Sequence, residues 1–349
     1  MPPVTIDGSL GITTPMYNGA ITANAVTPVL GMKNKLINGQ MQIDQRNAGA
    51  SVTPTADGPY SLDRWQIRNT QSSKLSVQQN AGSVTPPAGF TNYLGVTSLS
   101  AYSVNSTDWF NIRQQIEGFN VADLGWGTAN AKTVTLSFWV RSSLTGTFGG
   151  CLNNNAFDRA YPFTYTISSA NTWEQKSITI AGDTTGTWLT NSSCGIAVSI
   201  GLGIGSTYSG TAGAWTGTSL ILGATGATSV VGTNGATFFL TGVQLEVGST
   251  ATSFDYRPYG TELALCQRYY ENSNGSGGTI ANSDAYVVTT SATQFATFIF
   301  KVGKRISPTV TPTFSGGTGA TFAVTNGSFY QNTAHSVAST FGWTASAEL

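Results

Sequence analysis

Val134, Leu136, Phe138 and Val140 alternate with Thr135, Ser137, Trp139 and Arg141. A strict period of two over eight residues fits a strand with one apolar face and does not fit a helix. The same texture recurs in Leu62–Arg68, Lys74–Val77, Tyr93–Val96, Phe110–Ile116, Tyr161–Ile167, Glu174–Ile180, Gly195–Ile200 and Thr237–Leu245. Turn residues separate these segments every 8–20 positions, a spacing that predicts a mainly β protein with a β-sandwich or jelly roll.

Composition agrees with that class. Charged residues are 9 % of 349, against roughly 25 % in an average soluble domain. Gly occurs 41 times, and 40 % of the residues are hydrophobic, too many for a disordered chain. Net charge is zero and no basic patch stands out, so nucleic acid is not expected as a partner. The first ten residues lack the basic and apolar regions of a signal peptide. No run of about 18 apolar residues exists, and no membrane insertion is expected. Cys151, Cys194 and Cys266 are odd in number and widely spaced, which reads as free buried thiols.

Four regions are expected. Residues 1–33, punctuated by Pro2, Pro3, Pro15 and Pro28, read as an extended arm ordered by a neighbour. Residues 34–257 hold the sandwich, and 258–274 a short helical connector. Its helix is placed at Thr261–Tyr270, with Thr261 as cap, Glu262 in the first turn and Arg268 in the last. Gly275–Gly278 reads as a linker tip opening a small β domain over 275–349. That domain's strands are expected at Ala285–Thr290, Gln294–Lys301, Thr309–Thr313, Ala320–Val324 and Ser336–Ala345. The Gly- and Thr-rich stretch Gly203–Gly235 carries Trp215 and reads as an ordered loop.

The search for catalytic motifs is negative. There is no nucleophile elbow, no zinc-protease helix and no phosphate loop. His335 is the single histidine, without a recognisable Ser–Asp grouping. Among the sixteen carboxylates no pair has a spacing that implies glycosidase geometry. No catalytic residue, metal ligand or cofactor is assigned, and the chain reads as a non-enzyme.

The aromatics carry more. Flat rings stack on the C–H faces of sugars, while amides and carboxylates bond the hydroxyls. Trp109, Trp126, Trp188, Tyr208 and Trp215 lie in turn-like surroundings and are the candidate glycan-binding residues. Trp65 reads as core, and Trp139 faces away from the apolar side of its strand.

Four stretches together resemble phage tail-fibre and virion structural proteins with a jelly roll like that of family 4 and 9 carbohydrate-binding modules. They are Asn34–Arg46 followed by Asp63-Arg64-Trp65; Val134–Arg141; Phe238–Pro258 followed by Glu262–Tyr270; and Ser307–Val310 with the ending Ala345–Leu349. Asp44 departs from the family, which often has Trp there. The resemblance implies a non-enzymatic tail-fibre or surface-fibre component in the virion that adheres to host surface glycans. A capsid decoration or adaptor protein is the alternative, and a polysaccharide depolymerase a second one. The arm would dock on other virion proteins, and a homotrimer would close otherwise exposed sheet edges. Structural Ca²⁺ is common in such jelly rolls, although no ligand set for it is visible. Three local features are also expected: a turn at Asn38-Gly39, a pair between Glu246 and Arg257, and Cys266 packed on a helix face.

Overall fold

A computed structural model describes residues 32–273, 294–315, 318–322, 324–334 and 340–349. The contacts divide the chain into Met1–Lys33 and Asn34–Leu349, and the second unit holds all the strands named below. The expected N-terminal arm, Gly275–Gly278, the strand at Ala285–Thr290 and His335 lie outside the described residues.

The first strands of this unit are β1 (Tyr60–Leu62), β2 (Trp65–Asn69), β3 (Leu75–Gln79), β4 (Leu94–Ser98), β5 (Trp109–Glu117), β6 (Val134–Ser142) and β7 (Gly146–Asn153). Next in the chain come β8 (Ala160–Ile167), β9 (Glu174–Ile180), β10 (Cys194–Ile204), the short β11 (Ser209–Gly210) and β12 (Gly223–Ala224), and β13 (Thr237–Val247). One sheet has the order β1-β2-β5-β10-β7-β8, and the facing sheet β3-β4-β13-β6-β9. Every pairing in both is antiparallel, the neighbours other than β1-β2, β3-β4 and β7-β8 are joined by crossovers, and the fold is a jelly-roll β-sandwich.

The alternating pattern locates the core. Val134, Leu136, Phe138 and Val140 are all fully buried, in one continuous cluster with Ile112, Val198 and Ile200 of the other sheet. Each such side chain contributes roughly 1.5–3 kcal/mol by leaving water. Trp65 is fully buried as expected, and its indole N–H donates to the Asn38 carbonyl at 2.9 Å.

Asn38 and Gly39 form a turn closed by Met41 N–H on Asn38 O. Asn38 is left-handed (φ 57°), and its amide donates to Ile43 O and Asp63 O and accepts from Ile43 N–H. A Cβ on Gly39 would stand 2.2 Å from Val243 O, so the turn seats flush against β13.

β7 has no counterpart among the expected strands. Gly146, Gly149 and Gly150 depress strand propensity. Tertiary neighbours explain the glycine at 150: a Cβ there would lie 2.3 Å from Ser199 O and 2.4 Å from the Phe163 ring.

Helix α1 (Tyr259–Gln267) starts two residues before the expected position. Pro258 occupies its N-cap, and Thr261 lies inside the first turn instead of capping it. Glu262 reaches back to Asn38 N–H and Arg257. The expected Glu246–Arg257 pair does not form. Arg257 pairs with Glu262 at 3.2 Å and Asp255 at 3.5 Å. Glu246 instead accepts from Thr252 N–H, the Thr252 hydroxyl and the Gln244 amide. Short-range donors reach Glu246 before a side chain eleven positions away does.

The C-terminal strands are β14 (Tyr270–Asn272), β15 (Gln294–Ile299), β16 (Thr309–Ser315), β17 (Thr318–Phe322), β18 (Ser328–Ala334) and β19 (Thr340–Ser346). They form the sheets β14-β19-β16 and β15-β18-β17 around Phe300, Phe329, Trp343 and Ala345. Polar clasps tie them to the sandwich. Arg268 bonds Glu117 at 2.6 and 2.9 Å, and Glu348 is held by Arg46 at 2.7 Å and by the buried Arg64.

All three cysteines are free and buried. Burial pushes the Cys194 thiol up to about 11 and raises those of Cys151 and Cys266 well above the usual thiol range. Cys266 lies in α1, fully buried. Among the described residues no helix is long and apolar enough to cross a membrane, and no group of three His, Cys, Asp or Glu could hold a metal ion.

Candidate functional site

The five candidate aromatics fall into two groups. Trp126, Trp188 and Trp215 form one cluster, with ring centroids 4.7, 5.3 and 5.4 Å apart and planes crossing at 78–80°. Tyr161 extends it, 5.2 Å from Trp215. Each indole N–H is already used on a loop carbonyl: Trp126 on Lys132 O, Trp188 on Thr185 O, Trp215 on Ala181 O. Each ring of this triad packs against two others, which leaves less ring face for a sugar than a single pair does. This cluster staples the loops after β5, β9 and β11 together. A cleft beside it, lined by Val121, Leu124, Trp126, Trp188, Leu189 and Ile196, has about 30 Å³ of room. That suffices for a water or two and not for a sugar ring.

Trp109 and Tyr208 form the second group, 4.9 Å apart and edge-to-face. Both are half-buried. Trp109 opens β5, and alternation places it on the outer face of the six-stranded sheet with Asn111, Arg113 and Gln115. Successive members of that series stand about 6.7 Å apart along the strand. The register extends the face sideways. Arg113 lies opposite Gln66 on β2 and Ser199 on β10, and Ser199 opposite Cys151 on β7. Asn111 lies opposite Arg68 and Gly201.

This polar face is buried and under-satisfied. Asn111 and Ser199 are fully buried, and Arg113 is 5 % exposed. Both amide atoms of Asn111, the Ser199 hydroxyl and Arg113 Nε have no hydrogen-bond partner within the protein. Leaving such a group unpaired costs about 1–3 kcal/mol. Arg113 makes one long contact, 3.3 Å to Gln66 Oε1, and Phe157 lies over its guanidinium at 5.1 Å. No carboxylate among the described residues pairs with it. Asp57 is taken by Arg68, Glu117 by Arg268 and Tyr269, and Asp158 by Asn154.

The covering segment is itself conformationally unusual. Phe157 and Leu220 both adopt positive φ (55° and 59°), and Leu220 N–H donates to Phe157 O. Left-handed geometry at bulky residues is costly and collects at functional sites. Leu222 N–H donates to Tyr208 O, and Ile221 O accepts from Asn153 and Cys151. One continuous strap thus joins Tyr208, Phe157 and the far edge of the polar face. At the opposite end Asp108 fixes the start of β5. Burial raises its carboxyl, but bonds from Tyr102, Asn105 N–H, Thr70 and Gln71 outweigh that and hold it below the usual range.

Asn111, Arg113 and Ser199 were not candidates from the sequence. Alternation within Phe110–Ile116 does place Asn111 and Arg113 on the side facing away from the core. A polar residue there reads as ordinary solvent exposure, since the covering strap comes from residues 157 and 208–222.

No protein-family model matches the chain, and no curated protein matches it. Solved structures do resemble it. The enzymatically active domain of tailspike protein 4 from bacteriophage CBA120 aligns at 11 % identity and a TM-score of 0.34. The match covers 62 % of this chain and only 22 % of that one. A family 4 carbohydrate-binding module aligns at 15 % identity and 0.31, covering 60 % of this chain and 98 % of the module. A family 11 carbohydrate-binding module from Clostridium thermocellum, in complex with a mixed-linked tetrasaccharide, aligns at 10 % identity and 0.30, covering 57 % and 100 %.

Proposed function

We propose that this chain is a non-enzymatic, glycan-binding component of a phage particle, a tail fibre or surface fibre that adheres to a host polysaccharide. The observation that carries the reading is the outer face of the six-stranded sheet. There the Trp109–Tyr208 pair borders the Asn111 amide, the Ser199 hydroxyl and Arg113 Nε, which lack protein partners. Aromatic surface beside unspent donors and acceptors is the chemistry a sugar needs. The sequence resemblance to phage fibre proteins supports the setting on a virion.

Of the carboxylates near this face, Asp57 and Glu117 are held in ion pairs and Asp158 accepts from the Asn154 amide, which favours binding over hydrolysis. Weak single sites would be strengthened by repetition in a homotrimer. Anchoring through residues 1–33 to other virion proteins belongs to the same proposal.

The test is titration of the purified chain with a panel of bacterial surface polysaccharides, with product sizing in the same tube. Saturable binding with intact polymer, lost in Trp109→Ala while the fold is kept, supports the reading. Shortened polymer would replace it with a depolymerase. Absence of binding by a folded protein across the panel would leave a decoration or adaptor role.

A further inference from the structure

Arg113 carries a charge that the fold does not neutralise. It is 5 % exposed, its Nε has no partner, and its single hydrogen bond is a 3.3 Å contact to a neutral amide. The other arginine buried among the described residues, Arg64, has an acid in Glu348. A guanidinium removed from water without a counter-charge costs several kcal/mol unless something else supplies the anion. Around it stand Asn111 and Ser199 with unused polar atoms, directly across the sheet or two residues away. The planar fork of an arginine matches a carboxylate or a sulfate ester in bidentate fashion.

We infer that the glycan taken by this face is acidic, a polysaccharide carrying carboxylate or sulfate groups, and that Arg113 is the residue that selects it. This rests on the glycan-binding reading above and narrows it to a ligand class. In the complex the anionic group pairs with the Arg113 guanidinium. The adjoining sugar ring lies against Trp109. Phe157, half-buried over the guanidinium, rotates aside to admit the anion.

The experiment compares alginate, polygalacturonate and dextran sulfate with carboxyl-reduced alginate and plain dextran, by isothermal titration at low and high NaCl. The expected result is at least about tenfold tighter binding of an acidic polymer than of its neutral counterpart, weakened by salt. That preference should vanish in Arg113→Gln and survive in part in Arg113→Lys. Unliganded Arg113→Gln should melt no lower than the natural chain, because it removes an uncompensated charge. Equal binding of acidic and neutral polymers would overturn the acidic-ligand inference and leave glycan binding intact. Failure of every polymer to bind would overturn both. A large fall in the melting temperature of Arg113→Gln would assign the guanidinium a structural partner and also sink the inference.

Discussion

Replacing Trp126 by alanine should unfold the loops around it, whereas replacing Trp109 should cost binding and little stability. Trp126 is 7 % exposed and makes two edge-to-face contacts, with Trp188 at 4.7 Å and Trp215 at 5.3 Å. Aromatic pairs of this kind are worth about 0.5–1.5 kcal/mol each beyond burial. Its N–H bond to Lys132 O, at 2.8 Å, adds a net contribution of about 0.5–1.5 kcal/mol. With the cavity left behind, Trp126→Ala should lose about 3–5 kcal/mol. That corresponds to a fall in Tm on the order of 10 °C. Trp109 is half-buried and has a single ring partner, so its alanine variant should lose about 2 kcal/mol or less. Calorimetric melts of both variants, beside polysaccharide titrations, read the two effects separately. The division of the aromatics is refuted if Trp126→Ala melts with the natural chain, or if it loses glycan binding while Trp109→Ala keeps it.

Gly150→Ala should destabilise the sandwich by about 1–3 kcal/mol, since the added carbon meets the Ser199 carbonyl and the Phe163 ring; a denaturant titration with unchanged midpoint would contradict the close packing of β7 on β10. Glu348→Ala strips the counter-charge from Arg64, whose side chain is 1 % exposed, and should cost about 3–5 kcal/mol, visible as a lower Tm and as early proteolysis of the C-terminal strands. Burial, opposed by Arg46 and by bonds from Gln45, raises the Asp63 carboxyl to about 6 from its usual 3.8. The folded state therefore holds that proton more tightly. The stability this supplies is complete below pH 3.8 and is lost as pH rises through about 6. Asp63→Asn, which cannot titrate, should thus gain on the natural chain between about pH 4 and 7, and a constant difference in Tm across that range would refute the shift.

Local physics made much of this fold readable. A strand with one face in the core must alternate, so Val134–Val140, Glu174–Ile180 and Thr237–Leu245 could be placed within a residue or two of their observed ends. The core role of Trp65 and the turn at Asn38-Gly39 were legible on the same grounds. What stayed hidden depends on partners distant in the chain. β7 looks like a loop because of its glycines, and Gly150 answers to Phe163 and Ser199, which only sheet pairing brings over it. Arg257 chose Glu262 over Glu246 because α1 folds back onto the Asn38 turn. The five candidate aromatics look alike in sequence, each a ring among turn residues. Packing divided them, giving Trp126, Trp188 and Trp215 to one another and leaving Trp109 and Tyr208 beside the polar face. Asn111, Arg113 and Ser199 sit at alternate positions that any solvent-facing polar residue could fill. The sequence by itself determined which side of the alternating strands meets the core, because that is set by a period of two. Whether the other side meets water or a strap was decided by the tertiary structure alone, because the strap closes over the sheet from far along the chain, at Phe157 and residues 208–222.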